Sequence, residues 1–134
     1  MAHFKTDGEP LVLVVEDEAL IRLGTAYLLE DEGYTVIQAG NSAEALRVLE
    51  ERADVRVLFT DIQMPGELSG LGLAHEVHAR WPTIKLLITS GKVRPPLAEM
   101  PDEGTFIRKP YSPHDMTEKI GAMLSLDRIT ARKQ

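Results

Sequence analysis

Five short apolar segments recur along this chain of 134 residues, with stretches of helical spacing or turn residues between them. Apolar runs that lack polar alternation are typical of parallel strands buried on both faces of a sheet. We place these strands at 11–15, 34–38, 55–60, 84–89 and 105–107. The pattern predicts an α/β fold with a doubly wound, five-stranded parallel sheet and right-handed crossovers.

Residues typical of helix ends separate the strands. Asn41 followed by Glu44 resembles a capping box, and Ser112 before Pro113 places a capping residue ahead of the residue favoured at the first helical position. The first helical stretch ends ahead of Gly33, a plausible C′ residue. Its helical spacing gathers four large residues on one apolar face, namely Leu20, Leu23, Tyr27 and Leu28.

The fourth crossover differs from the others. Its segment 91–104 contains three prolines and two glycines, which do not support a long helix. We therefore expect a short or irregular fourth helix of about one or two turns near 97–100.

Composition excludes several kinds of site. The chain has no cysteine, so disulfides, thiolate zinc sites, iron–sulfur sites and thiol nucleophiles are excluded. Fifteen Lys and Arg residues against 21 Asp and Glu residues give a net charge of −6, so we expect no nucleic-acid and no membrane partner. The apolar runs are far shorter than the roughly 20 residues that span a bilayer.

The length corresponds to about one domain, which we expect to occupy 1–134 with a core at about 11–126 and polar termini. The polar tail 127–134 is expected to fray. The N-terminus has no apolar stretch of the kind found in signal peptides, so we expect a cytoplasmic protein.

Acidic, hydroxyl and amino side chains follow the predicted strands. If the first and third strands are neighbours, their tips lie about 5 Å apart, and Asp17 and Asp61 face one pocket. Ser90 and Lys109 follow two further strands at the same edge. Clustered carboxylates attract a cation, and ligands that are all oxygens favour Mg²⁺.

Four segments carry a family resemblance: LVLVVEDE at 11–18, FTDIQMPG at 59–66, LLITSGK at 86–92 and FIRKPY at 106–111. Together they resemble the receiver domain of two-component response regulators, over 11–126. The resemblance implies a flavodoxin-like strand order of 2-1-3-4-5. It also implies that Asp61 is the phosphoacceptor, and that Mg²⁺ is bound through Glu16, Asp17, Asp61 and the backbone carbonyl of Gln63.

The resemblance assigns further roles at the same edge. Ser90 corresponds to the hydroxyl residue that bonds a phosphoryl oxygen, and Lys109 to the lysine that pairs with the phosphoryl group. Phe106 corresponds to an aromatic switch residue, although a phenylalanine in a buried strand is equally compatible with a fixed core position. Pro110 resembles the cis-proline of the family, which helps to aim Lys109.

The implied function is that of a stand-alone receiver and not of an enzyme. Such a protein takes a phosphoryl group from a histidine kinase or a histidine phosphotransferase and signals, or buffers phosphate, by contact with an unknown downstream protein. We expect a monomer or a weak, phosphorylation-dependent dimer.

Three alternatives remain open from the sequence. A phosphatase of the haloacid-dehalogenase type also uses an aspartate nucleophile and Mg²⁺, but it needs Asp-x-Asp after the first strand, where this chain has Glu16-Asp17-Glu18. A flavodoxin-like cofactor binder needs a glycine- or hydroxyl-rich loop at that place. The third alternative is a receiver excised from a hybrid histidine kinase.

Overall fold

Strands and helices alternate along the chain. The computed structural model describes residues 10–64, 66, 68–92 and 94–132, with side chains described as far as residue 125. The expected polar ends at 1–9 and 133–134 lie outside the described residues. The elements are β1 (Leu11–Val15), α1 (Ala19–Asp31), β2 (Thr35–Ala39), α2 (Ser42–Glu51), β3 (Val55–Asp61), α3 (Gly70–Arg80), β4 (Lys85–Ser90), a 3₁₀ turn (Leu97–Glu99), β5 (Thr105–Arg108) and α4 (Pro113–Arg132).

The five strands form one sheet in the order β2-β1-β3-β4-β5, and all four neighbouring pairs are parallel. The predicted α/β fold, doubly wound sheet and 2-1-3-4-5 order are therefore confirmed. The order changes direction between β1 and β3, the kind of position at which ligands bind in open α/β sheets.

Alternate strand residues contribute to two separate apolar clusters, because successive side chains point to opposite faces of a sheet. Leu13 and Leu58 belong to the cluster under α2 and α3, whereas Val14 and Phe59 belong to the cluster under α1 and α4. Both faces are thus covered, which explains why the strands read as unbroken apolar runs.

The apolar face predicted for α1 is wrong. Leu20, Leu23 and Tyr27 are 86%, 53% and 73% exposed, and α1 instead buries Thr25, Ala26 and Leu29. Leu28 is half-buried against the cluster under α1 and α4. Apolar residues occur around most of this helix, so their spacing does not decide which side lies on the sheet.

The helix ends follow the predicted chemistry more closely. The Asn41 side chain accepts a hydrogen bond from the Glu44 amide at 2.8 Å, and the Ser112 hydroxyl accepts one from the Asp115 amide at 3.0 Å. Gly33 follows α1 with a φ of 98°. The backbone of α4 is helical as far as Arg132, within the tail 127–134, and the expected fraying of that tail stays a prediction.

The fourth crossover contains only the 3₁₀ turn Leu97–Glu99 among its described residues, which confirms the expected short helix. His75 of α3 contacts this crossover, since its Nε2 atom lies 2.6 Å from the carbonyl oxygen of Glu99. No helix in the described part of the chain is long and apolar enough to cross a membrane.

Gly70, the first residue of α3, lies against the end of β3. A Cβ atom at this position would fall on the carbonyl oxygen of Asp61 and come within 2.9 Å of the Ile62 Cα. The Gly70 amide also donates to the Ile62 carbonyl at 3.0 Å. The absence of a side chain therefore lets α3 begin directly beside Asp61.

We predict that Gly70→Ala lowers the free energy of unfolding by about 2–3 kcal/mol, because backbone must shift to admit the methyl group. Gly24→Ala is the matched control, since nothing lies within 4 Å of a Cβ atom at that exposed position in α1. It should gain about 0.5–1 kcal/mol from helix propensity. Urea unfolding measures both changes, and equal midpoints for Gly70→Ala and the unsubstituted protein would contradict the close approach.

Candidate functional site

Two buried carboxylates meet at the carboxyl ends of neighbouring strands. Val15 of β1 pairs in register with Thr60 of β3, so the next residues along each strand, Glu16 and Asp61, lie side by side. Their exposures are only 5% and 6%. Asp17 follows in the loop and is exposed. The structure therefore places Glu16 side by side with Asp61, and Asp17, the residue predicted to share a pocket with Asp61, comes next in the exposed loop.

Lys109 links these two carboxylates. Its Nζ atom donates to Glu16 Oε1 at 2.9 Å and also to Asp61 Oδ2. Lys109 follows β5, and the Lys109–Pro110 peptide bond is cis, as the resemblance implied. An ammonium group between two carboxylates offsets their repulsion, which would otherwise be large in a buried site.

The electrostatics of the cluster reflect both burial and pairing. Burial raises the pKa of Glu16 above its ordinary value, although the bonds from Lys109 and the Glu18 amide act in the opposite direction. Burial alone would lower the pKa of Lys109, but hydrogen bonds to Asp61 and Glu16 outweigh it and raise this pKa. Lys109 therefore stays charged at neutral pH, as its pairing role requires.

Gln63 connects the end of β3 to the end of β4. Its backbone amide donates to Asp61 Oδ1 at 2.8 Å, and its side-chain Oε1 accepts from the Ser90 hydroxyl at 2.7 Å. The Lys92 amide donates to the same hydroxyl at 3.0 Å. Ser90 is fully buried and bonded to Gln63 in this arrangement. The family resemblance gives the Gln63 backbone carbonyl a role in metal binding, whereas the contact between the Gln63 and Ser90 side chains depends on how the two loops pack.

The oxygen donors at this site fit Mg²⁺ by their chemistry, because this ion needs only one or two carboxylates and keeps several waters. Among the described residues, however, no three Asp, Glu, His or Cys side chains are grouped so that they could hold a metal. Glu16 and Asp61 instead share the Lys109 ammonium group. The predicted ligand set of Glu16, Asp17, Asp61 and the Gln63 carbonyl stays a prediction.

Phe106 lies on β5, half-buried against the cluster under α2 and α3. The guanidinium carbon of Arg94 lies 5.6 Å from the centre of its ring, within the range of a cation–π contact. A half-buried ring in contact with an arginine is compatible with both the switch and the core interpretation of Phe106.

Two further residues were missed by sequence reasoning. Arg22 of α1 donates to the Glu16 carbonyl oxygen at 2.8 Å and so fixes the start of the acidic loop. Tyr111, directly after Pro110, packs on Phe59 with ring centres 5.6 Å apart, and its hydroxyl lies 3.2 Å from Thr25 Oγ1. The sequence could have indicated a role for Tyr111, because an aromatic residue with a polar hydroxyl group directly follows Lys109 and Pro110 at the carboxyl end of β5.

Comparisons with known proteins agree with this arrangement. Residues 12–121 match the family model for the response regulator receiver domain. Sensor kinase CckA of Brucella abortus (strain 2308) is 34% identical over 121 residues, which cover 87% of this chain and 13% of the kinase. Aerobic respiration control protein ArcA of Escherichia coli (strain K12) is 32% identical over 119 residues, which cover 87% of this chain and 49% of that protein. The chain thus spans half or less of the length of these relatives.

A solved structure is also similar. The receiver domain protein from Clostridium thermocellum superposes with a TM-score of 0.81 at 29% identity, covering 90% of this chain and 98% of that one. Receiver domains are signalling domains that interact with histidine kinases or phosphotransferases and generally bind Mg²⁺ at an acidic pocket. The family match over 12–121, the strand order and the cluster at the ends of β1, β3 and β5 together show that this chain belongs to the response regulator receiver domain family.

Proposed function

We propose that the chain accepts a phosphoryl group on Asp61 from a histidine kinase or a histidine phosphotransferase. The observation that carries this proposal is the position of Asp61, buried at the end of β3 and bonded to the Lys109 ammonium group. A buried carboxylate held against a fixed positive charge is a suitable nucleophile for phosphoryl transfer, which depends mainly on positioning and charge neutralisation.

In the proposed reaction an Asp61 carboxylate oxygen attacks the phosphorus of a phosphohistidine. The new O–P bond forms an acyl phosphate, the P–N bond breaks, and its electron pair returns to the imidazole ring. Lys109 then pairs with a phosphoryl oxygen instead of bonding only carboxylates. Glu16, Asp17, Asp61 and the Gln63 carbonyl would hold Mg²⁺, which neutralises phosphoryl charge when bound.

Ser90 and Phe106 are the proposed switch. Ser90 now donates to Gln63, so its hydroxyl must leave that acceptor before it can bond a phosphoryl oxygen. This movement opens space beside β5 into which the Phe106 ring can turn, away from Arg94. A charge change at Asp61 would thereby alter the surface formed by β5 and the crossover before it.

We propose that the phosphorylated protein signals by contact with a downstream protein. It does so in the cytoplasm, as a free-standing monomer or a weak phosphorylation-dependent dimer.

A receiver that belongs to a hybrid histidine kinase is the second candidate, because sensor kinase CckA is among the relatives. An immunoblot of the native polypeptide separates them. A band near 14.9 kDa supports the free-standing protein, and a much larger band supports the hybrid kinase.

The phosphatase alternative loses its basis. It requires a nucleophile directly after β1, whereas the buried aspartate that pairs with Lys109 lies on β3. The family match over 12–121 likewise replaces the cofactor-binding alternative.

We predict that incubation with acetyl phosphate and Mg²⁺ adds the mass of one phosphoryl group to the protein, and that Asp61→Asn abolishes the addition. The amide cannot form an acyl phosphate. Asp31→Asn, at an exposed acid at the end of α1, is the control and should be modified normally. Intact-protein mass spectrometry measures the result. An unmodified wild type, or an equally modified Asp61→Asn, would overturn the assignment.

Removal of the Lys109 charge should destabilise the protein at pH 7 by about 2–3 kcal/mol, because Glu16 and Asp61 would then repel each other in a buried site. Lys109→Met tests this, with Lys119→Met on α4 as the control. Added Mg²⁺ should raise the melting temperature of Lys109→Met more than that of the wild type, since the ion replaces the missing charge. A variant as stable as the wild type without Mg²⁺ would contradict the role of Lys109 in offsetting the repulsion.

The exposed stripe on α1, formed by Leu20, Leu23 and Tyr27, is the proposed contact for the phosphodonor protein. It begins two residues after the acidic loop 16–18, so a donor that reaches Asp61 would cover it. Exposed apolar patches of this kind commonly mark interaction sites. A helical surface that carries the phosphohistidine is the occupant we propose, because α1 offers it a matching row of apolar side chains.

We therefore predict that Leu23→Glu slows phosphotransfer from the cognate kinase about tenfold or more, the usual effect of a disrupted interface anchor. Leu97→Glu changes another exposed leucine, on the fourth crossover, and should leave the transfer rate unchanged. Both variants should react normally with acetyl phosphate, which needs no docking. Equal transfer rates for Leu23→Glu and wild type would remove α1 from the donor interface.

A further inference from the structure

Three polar side chains form a layer on one face of the sheet, directly above apolar residues. Asp61 of β3 is paired in register with Thr89 of β4, and Glu16 lies beside Asp61. By strand alternation these three share the face of Val14 and Phe59, the one covered by α1 and α4. Thr89 is therefore the neighbour of the phosphoacceptor within the sheet, on the face opposite to that of Ser90.

A small cavity lies at this layer. It offers about 10 Å³ for the centre of a water molecule, close to the minimum that one water needs. Val14 and Phe59 contribute apolar walls. Its polar lining consists of Glu16, Thr25, Asp61, Thr89 and Tyr111.

Thr89 is the residue that requires an explanation. It is 3% exposed, and its Oγ1 atom is the one buried side-chain nitrogen or oxygen without a hydrogen-bond partner among the residues that the structure describes. Buried hydroxyl groups in proteins are almost always bonded, to protein or to ordered water. Valine has nearly the same shape, so packing alone does not require a hydroxyl here.

The other lining groups have hydrogen-bonding capacity left. Thr25 and Tyr111 bond to each other at 3.2 Å, which uses one of their two hydroxyl protons and leaves the other to donate. Each carboxylate has about four lone-pair positions, so Glu16 and Asp61 can accept bonds beyond those already made. The lining thus contains both donors and acceptors, which suits a molecule that both accepts and donates hydrogen bonds.

We propose that this cavity is a binding site for one water molecule, which accepts a hydrogen bond from Thr89 Oγ1 and donates to a carboxylate oxygen of Glu16 or Asp61. The spare hydroxyl proton of the Thr25–Tyr111 pair supplies a third bond, the number typical of buried water. The water gives the two buried carboxylates a donor in addition to Lys109, on the side that faces α1 and Tyr111. It also joins the phosphoacceptor to residues of α1 and of the segment after β5.

The sign of a stability change tests this site. If a water binds Thr89 Oγ1, Thr89→Val removes a satisfied bond and should lower the melting temperature by about 3 °C. If no water binds, the same substitution removes an unsatisfied polar group and leaves the melting temperature unchanged or raised. Thr60→Val is the matched control, because the buried Thr60 hydroxyl donates to the Asp61 carbonyl at 3.1 Å, and its loss should lower the melting temperature in either case.

A crystal structure of the unphosphorylated protein near 1.5 Å resolution gives the second measurement. We expect a solvent peak within hydrogen-bond distance of Thr89 Oγ1 in the wild type, and its loss in Thr89→Val. A cavity without density in the wild type, or an unchanged or raised melting temperature for Thr89→Val, overturns the proposal. Neither measurement involves phosphorylation, so a failure of the Asp61 assignment would be distinguishable from a failure of this one.

Discussion

The site depends on one interaction, the sharing of the Lys109 ammonium group between the carboxylates of Glu16 and Asp61. Two negative charges that are each about 95% buried would repel strongly if no cation lay between them. The parallel sheet creates this situation, because it places the carboxyl ends of β1, β3 and β5 at the same edge. The phosphoryl transfer that we propose uses the same three charges, with Asp61 as the nucleophile and Lys109 as the fixed positive group.

The surrounding residues hold this cluster rather than take part in its charge balance. The Gln63 amide bonds one Asp61 oxygen, the Arg22 guanidinium group bonds the Glu16 carbonyl, and Gly70 permits α3 to begin against Asp61. Two of these contacts come from the connection between β3 and α3, and the third comes from the first turn of α1. The sheet, α1 and the connection between β3 and α3 together hold the carboxylates in place, and Ser90 is held by its bond to Gln63.

The fold departs from a regular alternation at the crossover between β4 and β5, where a 3₁₀ turn replaces a helix. This leaves Phe106 half-buried, with Arg94 over its ring and Leu97 exposed nearby in the chain. The opposite face of the sheet is covered by the helices α1 and α4. Tyr111 and the cavity at Thr89 lie on this face. The two sides of the sheet at Asp61 thus differ, because one is covered by an irregular crossover and the other by two helices with a polar layer beneath them.

The sequence alone determined the strand positions to within about a residue, the caps at Asn41 and Ser112, and the acids and lysine that follow the strands. These features are local, because apolar runs, capping side chains and short sequence motifs depend on residues that are close together in the sequence.

Only the tertiary structure decided three other features. These are the side of α1 that faces the sheet, the hydrogen bond between Gln63 and Ser90, and the lack of a partner for the Thr89 hydroxyl. α1 carries apolar residues on most of its circumference, so only its docking on β1 and β2 selected Thr25, Ala26 and Leu29 for burial. The Gln63 and Thr89 contacts involve residues about 27 positions apart, and such pairs meet only after parallel strands have been brought into register.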